Sequence, residues 1–527
     1  MTPEALTRTL QEFLAEASGA VVLEDGAIAF DLGHAKYSIS GEHNKCLLHL
    51  WSAERNAVRR VLDAEVKNGA LRLAVQRLGQ ARPTKLEICR ERDRRSPTAK
   101  KACRMAYEAK LRRALERHFP GFTIDRLTSG VDLEKSFGPI YARGVIRRGQ
   151  SAFAVFGVNE KETQASIDAS LTFGILWMDG CRESSQVSQK KRDLGHPTAS
   201  LVEGVHLFVP AGCSALVRER MANLNPAAAK WRLFEFDERQ DAVVEIDCGD
   251  RGNIATRLVH VTNESAALER FAESIARIHA ILANCEVAVL SAAEIAFRWR
   301  GLEFARARMG AEAVTFRSKQ EIVFGVGAEE RVLEDRNYAL FVQLLSALRE
   351  TRHPYGPRGD RLFRLRPERW LESLVVGDVS VIDERLDAEW RYSQVPAFSA
   401  ADRAMIDVLT MTRDGRLAVV ELKADEDIHL PLQGLDYWSR VEWHHARGEF
   451  LKFGYFGGVE LSAETPLLYL VAPALHVHPA TDVLLRYVSP EIEWAFVGID
   501  ERWREGVRVV FRKRAERRSD FQLPIAT

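Results

Sequence analysis

Cysteine is scarce and scattered in this chain. There are seven, at Cys46, Cys89, Cys103, Cys181, Cys213, Cys248 and Cys285, with no C-x-x-C pair and none beyond Cys285. An odd, dispersed set argues for reduced thiols in a cytosol, against a disulfide scaffold or a zinc ribbon. Long apolar runs are missing too: stretches such as "LTFGILWM" are too short to span a bilayer. The opening "MTPEALTRTLQEFLAEA" lacks the apolar core of a signal peptide and reads as an amphipathic helix with Pro3 in its first turn. No G-x-x-x-x-G-K-[ST] stretch occurs, which excludes a P-loop nucleotide triphosphate site. Net charge is absent as well, with 74 Lys+Arg against 74 Asp+Glu, so total charge selects no partner. The expectation is a soluble, cytoplasmic protein without a membrane among its partners.

A length of 527 residues is too great for one ordinary core and predicts two to four domains. Charge is balanced overall but not locally. From Arg77 to Arg117 there are 14 Lys/Arg against 5 Asp/Glu, and "FRKRAERR" near the end is basic again. Such clusters either sit against phosphates or form solvated helix faces. An internal repeat organises the rest. "HLFVPAG" at 206–212 matches "YLVAPAL" at 469–475, and "WRLFEFDER" at 231–239 matches "WAFVGIDER" at 494–502. Pro210 and Pro473, Trp231 and Trp494, and Asp237 and Asp500 are each 263 positions apart. Two matches in one register predict an ancient duplication. The boundaries expected are a helix plus β-rich region over 1–100, a domain over 101–262, a helical and β-rich region over 263–358, and a domain over 359–527. In the second half, strands alternate with helices, which predicts an α/β (α+β) domain around a mixed sheet.

The chemistry concentrates at "AVVELKADEDIHLPLQGLDYW", residues 418–438. Alternation along a strand puts Glu421 and Lys423 on one face and turns Leu422 inward. "MIDVLTMT" reads as the preceding strand. A two-residue Asp-Gly turn would set Asp407 opposite Leu422. A three-residue Arg413-Asp414-Gly415 loop, with Gly415 left-handed, sets Asp407 opposite Glu421, and this is the register predicted. Two carboxylates can hold Mg²⁺ or Mn²⁺, and a neighbouring Lys can orient water or stabilise charge on a phosphate. Glu372, on the helix "PERWLESLV", is a candidate third metal ligand, with Glu368 one turn earlier as its competitor.

Asp407, Glu421-Leu422-Lys423 and the helical Glu372 together resemble the PD-(D/E)XK nuclease superfamily. Gln433-x-x-x-Tyr437 resembles the Q-x-x-x-Y helix of its RecB-like branch. The resemblance spans about 360–500, with Ile406 where the motif's Pro would stand. It implies a restriction-endonuclease-like mixed sheet flanked by helices and metal-dependent hydrolysis of phosphodiester bonds. Asp407, Glu421 and Lys423 would be catalytic; Glu372, Asp407 and Glu421 would hold Mg²⁺ or Mn²⁺; Gln433 and Tyr437 would contact substrate. Nucleic acid, DNA ahead of RNA, would be the partner, in repair, recombination or phage defence. The alternative is a silent module that keeps the nuclease fold for binding or assembly. Some RecB-like members hold an iron–sulfur cluster on four cysteines. With only Cys285 in this half, none is implied.

With the repeat, the resemblance implies two related halves, the C-terminal copy intact and the N-terminal copy degenerate. In the first half, "IYARGVIRRGQSAFAVFGVN" has the hairpin but Arg143 on its first strand and Gly157 and Asn159 in the neighbourhood of Glu421 and Lys423. Its basic helix, with Arg112, Arg113 and Arg117, would suit a phosphate backbone. Other candidates carry less. Glu65-Val66-Lys67 and Glu108-Ala109-Lys110 lack the strand–turn–strand context. His444 and His445 face different ways on a helix without an acid at ligand spacing. His476 and His478, read as one strand face, lack a third zinc ligand.

Overall fold

A computed structural model describes residues 2–15, 20–24, 27–32, 36–42, 45–51, 56–67, 70–77, 83–89, 97–132, 137–190, 201–249, 254, 256–311, 318–326, 330–396, 398–399 and 405–515. It is a mixed α+β structure with several sheets flanked by helices. The chain divides into two compact units. One comprises Met1–Ser170, Gly180–Ser214 and Arg232–Ile246; the other comprises Leu171–Asp179, Ala215–Trp231 and Asp247–Thr527.

In the first unit, the helix Pro3–Ala15 buries Leu6, Leu10 and Phe13 against a seven-stranded antiparallel sheet drawn from Val21 to Cys89. Helix α1 (Pro97–His118) follows, then strands β1 (Thr123–Thr128), β2 (Tyr141–Arg148), β3 (Ser151–Val158), β4 (Leu201–Pro210), β5 (Lys230–Asp237) and β6 (Ala242–Ile246). These form a six-stranded sheet in the order β6-β5-β4-β3-β2-β1. The hairpin β2–β3 turns tightly, Arg148 pairing with Ser151, and β3 runs parallel to β4. Tyr107, Leu111 and Leu115 of α1 pack into its core with Val155, Phe208 and Phe236.

The second unit repeats this succession. Helical turns at Glu264–Arg270 and Ala272–His279 cover a five-stranded antiparallel sheet from Glu286 to Val332. Helix α3 (Pro367–Gly377) leads into β7 (Leu386–Pro396), β8 (Met405–Thr412), β9 (Leu417–Leu422), α4 (Leu430–His445), β10 (Leu467–Pro473), β11 (Trp494–Ile499) and β12 (Val509–Arg514). The short helix α2 (Ala215–Met221) belongs to this unit too. The order β7-β8-β9-β10-β11-β12 matches, strand for strand, that of the first six-stranded sheet. One face of the sheet carries Val408, Val420 and Leu422 against Trp370, Leu371 and Val375 of α3. The other takes α4, whose Gly434 sits where an added Cβ would lie 2.4 Å from a Leu470 methyl. No described helix is long and apolar enough to cross a membrane. The helical stretch from Glu264 to His279 is broken at Phe271, whose backbone leaves helical geometry (φ −99°, ψ 14°) and caps both pieces.

Helix α3 is anchored by one cation. Arg352 is fully buried and donates to the carbonyls of Trp299, Arg300, Leu362, Leu365 and Arg366, with its guanidinium 4.8 Å from the Trp370 ring centroid. Burial, with Arg504 and Arg300 nearby, pushes its pKa down to about 10, so it remains charged. An Arg352→Met substitution deprives five carbonyls of their donor in part-buried hydrogen bonds and leaves the fully buried position without its charge. The expected cost is about 3–5 kcal/mol, read as a large fall in the urea midpoint. A midpoint within error of wild type would show that water replaces the guanidinium.

Candidate active site

Strands β8 and β9 pair from Val408↔Val420 to Met411↔Leu417, and Thr412 N–H donates to the Arg416 carbonyl at 2.7 Å. The loop is therefore three residues, with Gly415 left-handed at φ +82°, as predicted. There, an added Cβ would also meet the Glu460 carbonyl at 2.7 Å. Carried one step further, the register sets Asp407 opposite Glu421. Asp407 Oδ2 accepts from the Leu422 N–H at 3.0 Å, and Lys423 Nζ donates to Glu421 Oε1 at 3.0 Å. Asp407, Glu421 and Lys423 thus come together at the end of two central strands.

The environment is dry and crowded with negative charge. Glu421 is 1% exposed, and among the described residues its Oε2 has no hydrogen-bond partner. Burial and the Asp407 charge hold the Glu421 carboxyl well above its ordinary range. Burial, then the charge of Glu372, pushes Asp407 up to about 6, against the pull of the Leu422 N–H, Lys423 and Arg369. For Lys423, burial favours the neutral amine, but Glu421, Glu368 and Asp407 outweigh it and raise the pKa. The ammonium is charged at every working pH.

Glu372 is buried on α3 and faces this group through intermediaries. Its carboxylate accepts from Arg369 Nη1 (2.8 Å), Ser393 Oγ (2.5 Å) and Gln394 Nε2 (2.9 Å), and the same Gln394 amide reaches Asp407 Oδ1 at 3.3 Å. Glu368 acts on Lys423 only through its charge. Gln394 escaped sequence analysis. It falls opposite Asp407, between the pairs Ser393↔Val408 and Val395↔Ile406, and it holds a left-handed φ of +55° that costs a non-glycine residue on the order of 1 kcal/mol. Strain of this kind persists where surrounding contacts demand it, and here they aim the amide between two carboxylates. Gln394→Gly relieves the backbone but unties Glu372 from Asp407. It should leave the melting temperature within a few degrees of wild type while lowering the activity proposed below at least ~10-fold. Unchanged activity would reduce Gln394 to a structural bridge.

Gln433 and Tyr437 lie one turn apart on α4, held close to the sheet by Gly434. Burial, then the charges of Glu421 and Asp407, raises the Tyr437 pKa, so its hydroxyl stays protonated. Arg112, Arg113 and Arg117 lie on α1, in the other unit. Arg112 donates to the Leu127 carbonyl at 3.4 Å, Arg117 donates to the Asp241 carbonyl at 3.3 Å, and Arg113 comes within 3.9 Å of the Asp241 carboxylate. Arg113 and Arg117 are nevertheless exposed.

One reading is sharpened and two need correction. In the first sheet, Leu207 pairs with Phe156 as Leu470 pairs with Glu421, and Phe156 lies opposite Arg143. Phe156 and Val158 thus take the sheet positions that Glu421 and Lys423 take in the second sheet, and Gly157 and Asn159 follow one residue further along each, in the neighbourhood expected. His476 and His478 share no strand face, because β10 ends at Pro473 and a helical turn follows; they pair loosely with Asp425, Glu426 and Glu501. His444 does have an acid: its Nδ1 meets Glu449 Oε2 at 2.5 Å, its Nε2 meets Thr256 Oγ1 at 3.1 Å, and the ring is buried.

Among the described residues, no group of three or more His, Cys, Asp or Glu side chains is placed to hold a metal ion. No family model matches the chain, and no curated protein or solved structure matches it either.

Proposed function

We propose that this chain is a metal-dependent nuclease of the PD-(D/E)XK type, hydrolysing DNA phosphodiesters with the Asp407–Glu421–Lys423 group. One observation carries the reading: the buried Glu421 carboxyl and the half-buried Asp407 carboxyl face each other with an acceptor oxygen left over, beside an ammonium held charged. Packing alone gives no reason to bury such a repulsive pair. The oxygen-only donor set fits a hard divalent cation. Mg²⁺ or Mn²⁺ on Asp407 and Glu421, with Glu372 held behind Asp407, would supply positive charge at the phosphate and a water of lowered pKa.

The remaining work falls to the chain's own groups. Lys423 Nζ has two N–H donors beyond its bond to Glu421, one for an attacking water and one for a phosphoryl oxygen. Tyr437 and Gln433 offer neutral donors that position the strand. The shared strand order of the two six-stranded sheets supports a duplication of a restriction-endonuclease-like domain. Phe156, Val158 and Arg143 would make the first copy chemically silent, with the exposed Arg113 and Arg117 turning from Asp241 to meet phosphates. Incubating labelled linear, closed-circular and single-stranded DNA with the protein, in Mn²⁺ or in EDTA, tests the reading. Metal-dependent cutting is expected, and a cut circle assigns endonuclease action. Folded protein that cuts none of the three would sink the proposal.

A further inference from the structure

The helix that presents Gln433 and Tyr437 carries a third polar side chain on the same face. Positions 433, 437 and 440 follow the i, i+4, i+7 spacing of one helical stripe. Arg440 is 3% exposed, and among the described residues its guanidinium makes no hydrogen bond; Nε and Nη1 are buried without a partner. Its natural helical counter-ion, Asp436 one turn earlier, is taken. Arg220 of α2 binds that carboxylate in a two-pronged contact, Nε to Oδ1 at 2.9 Å and Nη2 to Oδ2 at 2.7 Å. Glu219 is close enough for the Arg440 charge to act on it, but no hydrogen bond joins them. The side chains of Gln433 and Tyr437 likewise make no hydrogen bond among the described residues, and both are partly exposed.

A buried guanidinium without a hydrogen bond is among the costliest arrangements a fold can hold. Five N–H groups in a planar fork are matched by phosphate oxygens better than by any other common anion. Tyr437 is near enough to Arg440 to feel its charge and also feels those of Glu421 and Asp407, so it links the cation to the acidic pair.

Resting on the nuclease reading, we propose that Arg440 binds the backbone phosphate next to the one cut, so that Gln433, Tyr437 and Arg440 form a continuous strand-binding stripe on α4. The phosphate oxygen reaches the guanidinium from the side of Tyr437, which is partly exposed. Glu219 is the resting counter-charge that the phosphate displaces.

The test is equilibrium binding of a labelled oligonucleotide in EDTA, where nothing is cut, across a salt series, for wild type, Arg440→Met and Arg440→Lys. The methionine variant should bind about 10-fold more weakly and flatten the dependence of log K on log salt by about one. The lysine variant should keep the slope with intermediate affinity. Without nucleic acid, Arg440→Met should melt no lower than wild type, because an apolar chain replaces an unsatisfied cation. Partial misfolding lowers the amplitude of binding but not the slope, so the two effects separate. Wild type that binds while Arg440→Met matches it in affinity and slope would overturn the role of Arg440 alone. Wild type that binds neither DNA nor RNA oligonucleotides would overturn the nuclease reading and this inference together.

Discussion

Lys423→Ala should abolish metal-dependent cutting, by about 10²–10⁴ in rate, while leaving nucleic-acid binding within a few fold. Among the described residues, the ammonium is the only cation hydrogen-bonded to Glu421, and its pKa is raised, so it stays charged as negative charge builds on a phosphate. Arginine should not rescue: at 12% side-chain exposure there is little room for a planar fork. The same substitution carries a stability signature. Without the ammonium, Asp407 and Glu421 repel each other uncompensated above their raised pKa values, and protonation below about pH 5 relieves them. The variant should therefore melt well below wild type at pH 8 and approach it at pH 5. Normal cutting by Lys423→Ala would remove the lysine from the chemistry and leave the acidic pair unexplained.

How far the sequence could be read depended on the range of each contact. The β8–β9 hairpin was legible because its register is set locally, by Arg413-Asp414-Gly415 and the need for a left-handed glycine. Strand parity then placed Glu421 and Lys423 without further information. Gln433 and Tyr437 were singled out by the resemblance to the Q-x-x-x-Y helix, and helical spacing puts them on one face. Gln394 was invisible: glutamine is neither a turn former nor a tolerant left-handed residue, and its conformation is imposed by Glu372 and Asp407, 22 and 13 positions away. The Glu449 partner of His444 was missed because a helix break intervenes at Gly448, whose left-handed backbone turns the chain back. The first hairpin's two-residue Gly149-Gln150 turn and the second's three-residue Arg413-Asp414-Gly415 loop are separated only by the observed pairing.

Glu421→Gln should stabilise the metal-free protein while destroying its activity. Glutamine keeps an oxygen for Lys423 Nζ and turns an uncharged amide toward Asp407, removing a like-charge contact beside the buried Glu421 position. Asp407 alone indicates the scale: moving a carboxyl from 3.8 to about 6 corresponds to on the order of 3 kcal/mol. The sign follows from proton binding. The folded state holds the Asp407 proton more tightly than the unfolded chain, so between pH 4 and 6 it carries more protons and loses stability as pH rises. The raised Glu421 extends that loss to higher pH. Metal-free wild type should thus melt lower at pH 8 than at pH 5, with a shallower slope for Glu421→Gln. At pH 8 the variant should melt about 3 °C or more above wild type. A divalent cation replaces the missing protons, so Mn²⁺ should raise the wild-type melting temperature most at pH 8, little at pH 5, and scarcely at all in Glu421→Gln. A variant that melts lower than wild type at pH 8 without metal would show that the carboxylate pair holds the fold together, and the case for a site built to receive a cation would fall with it.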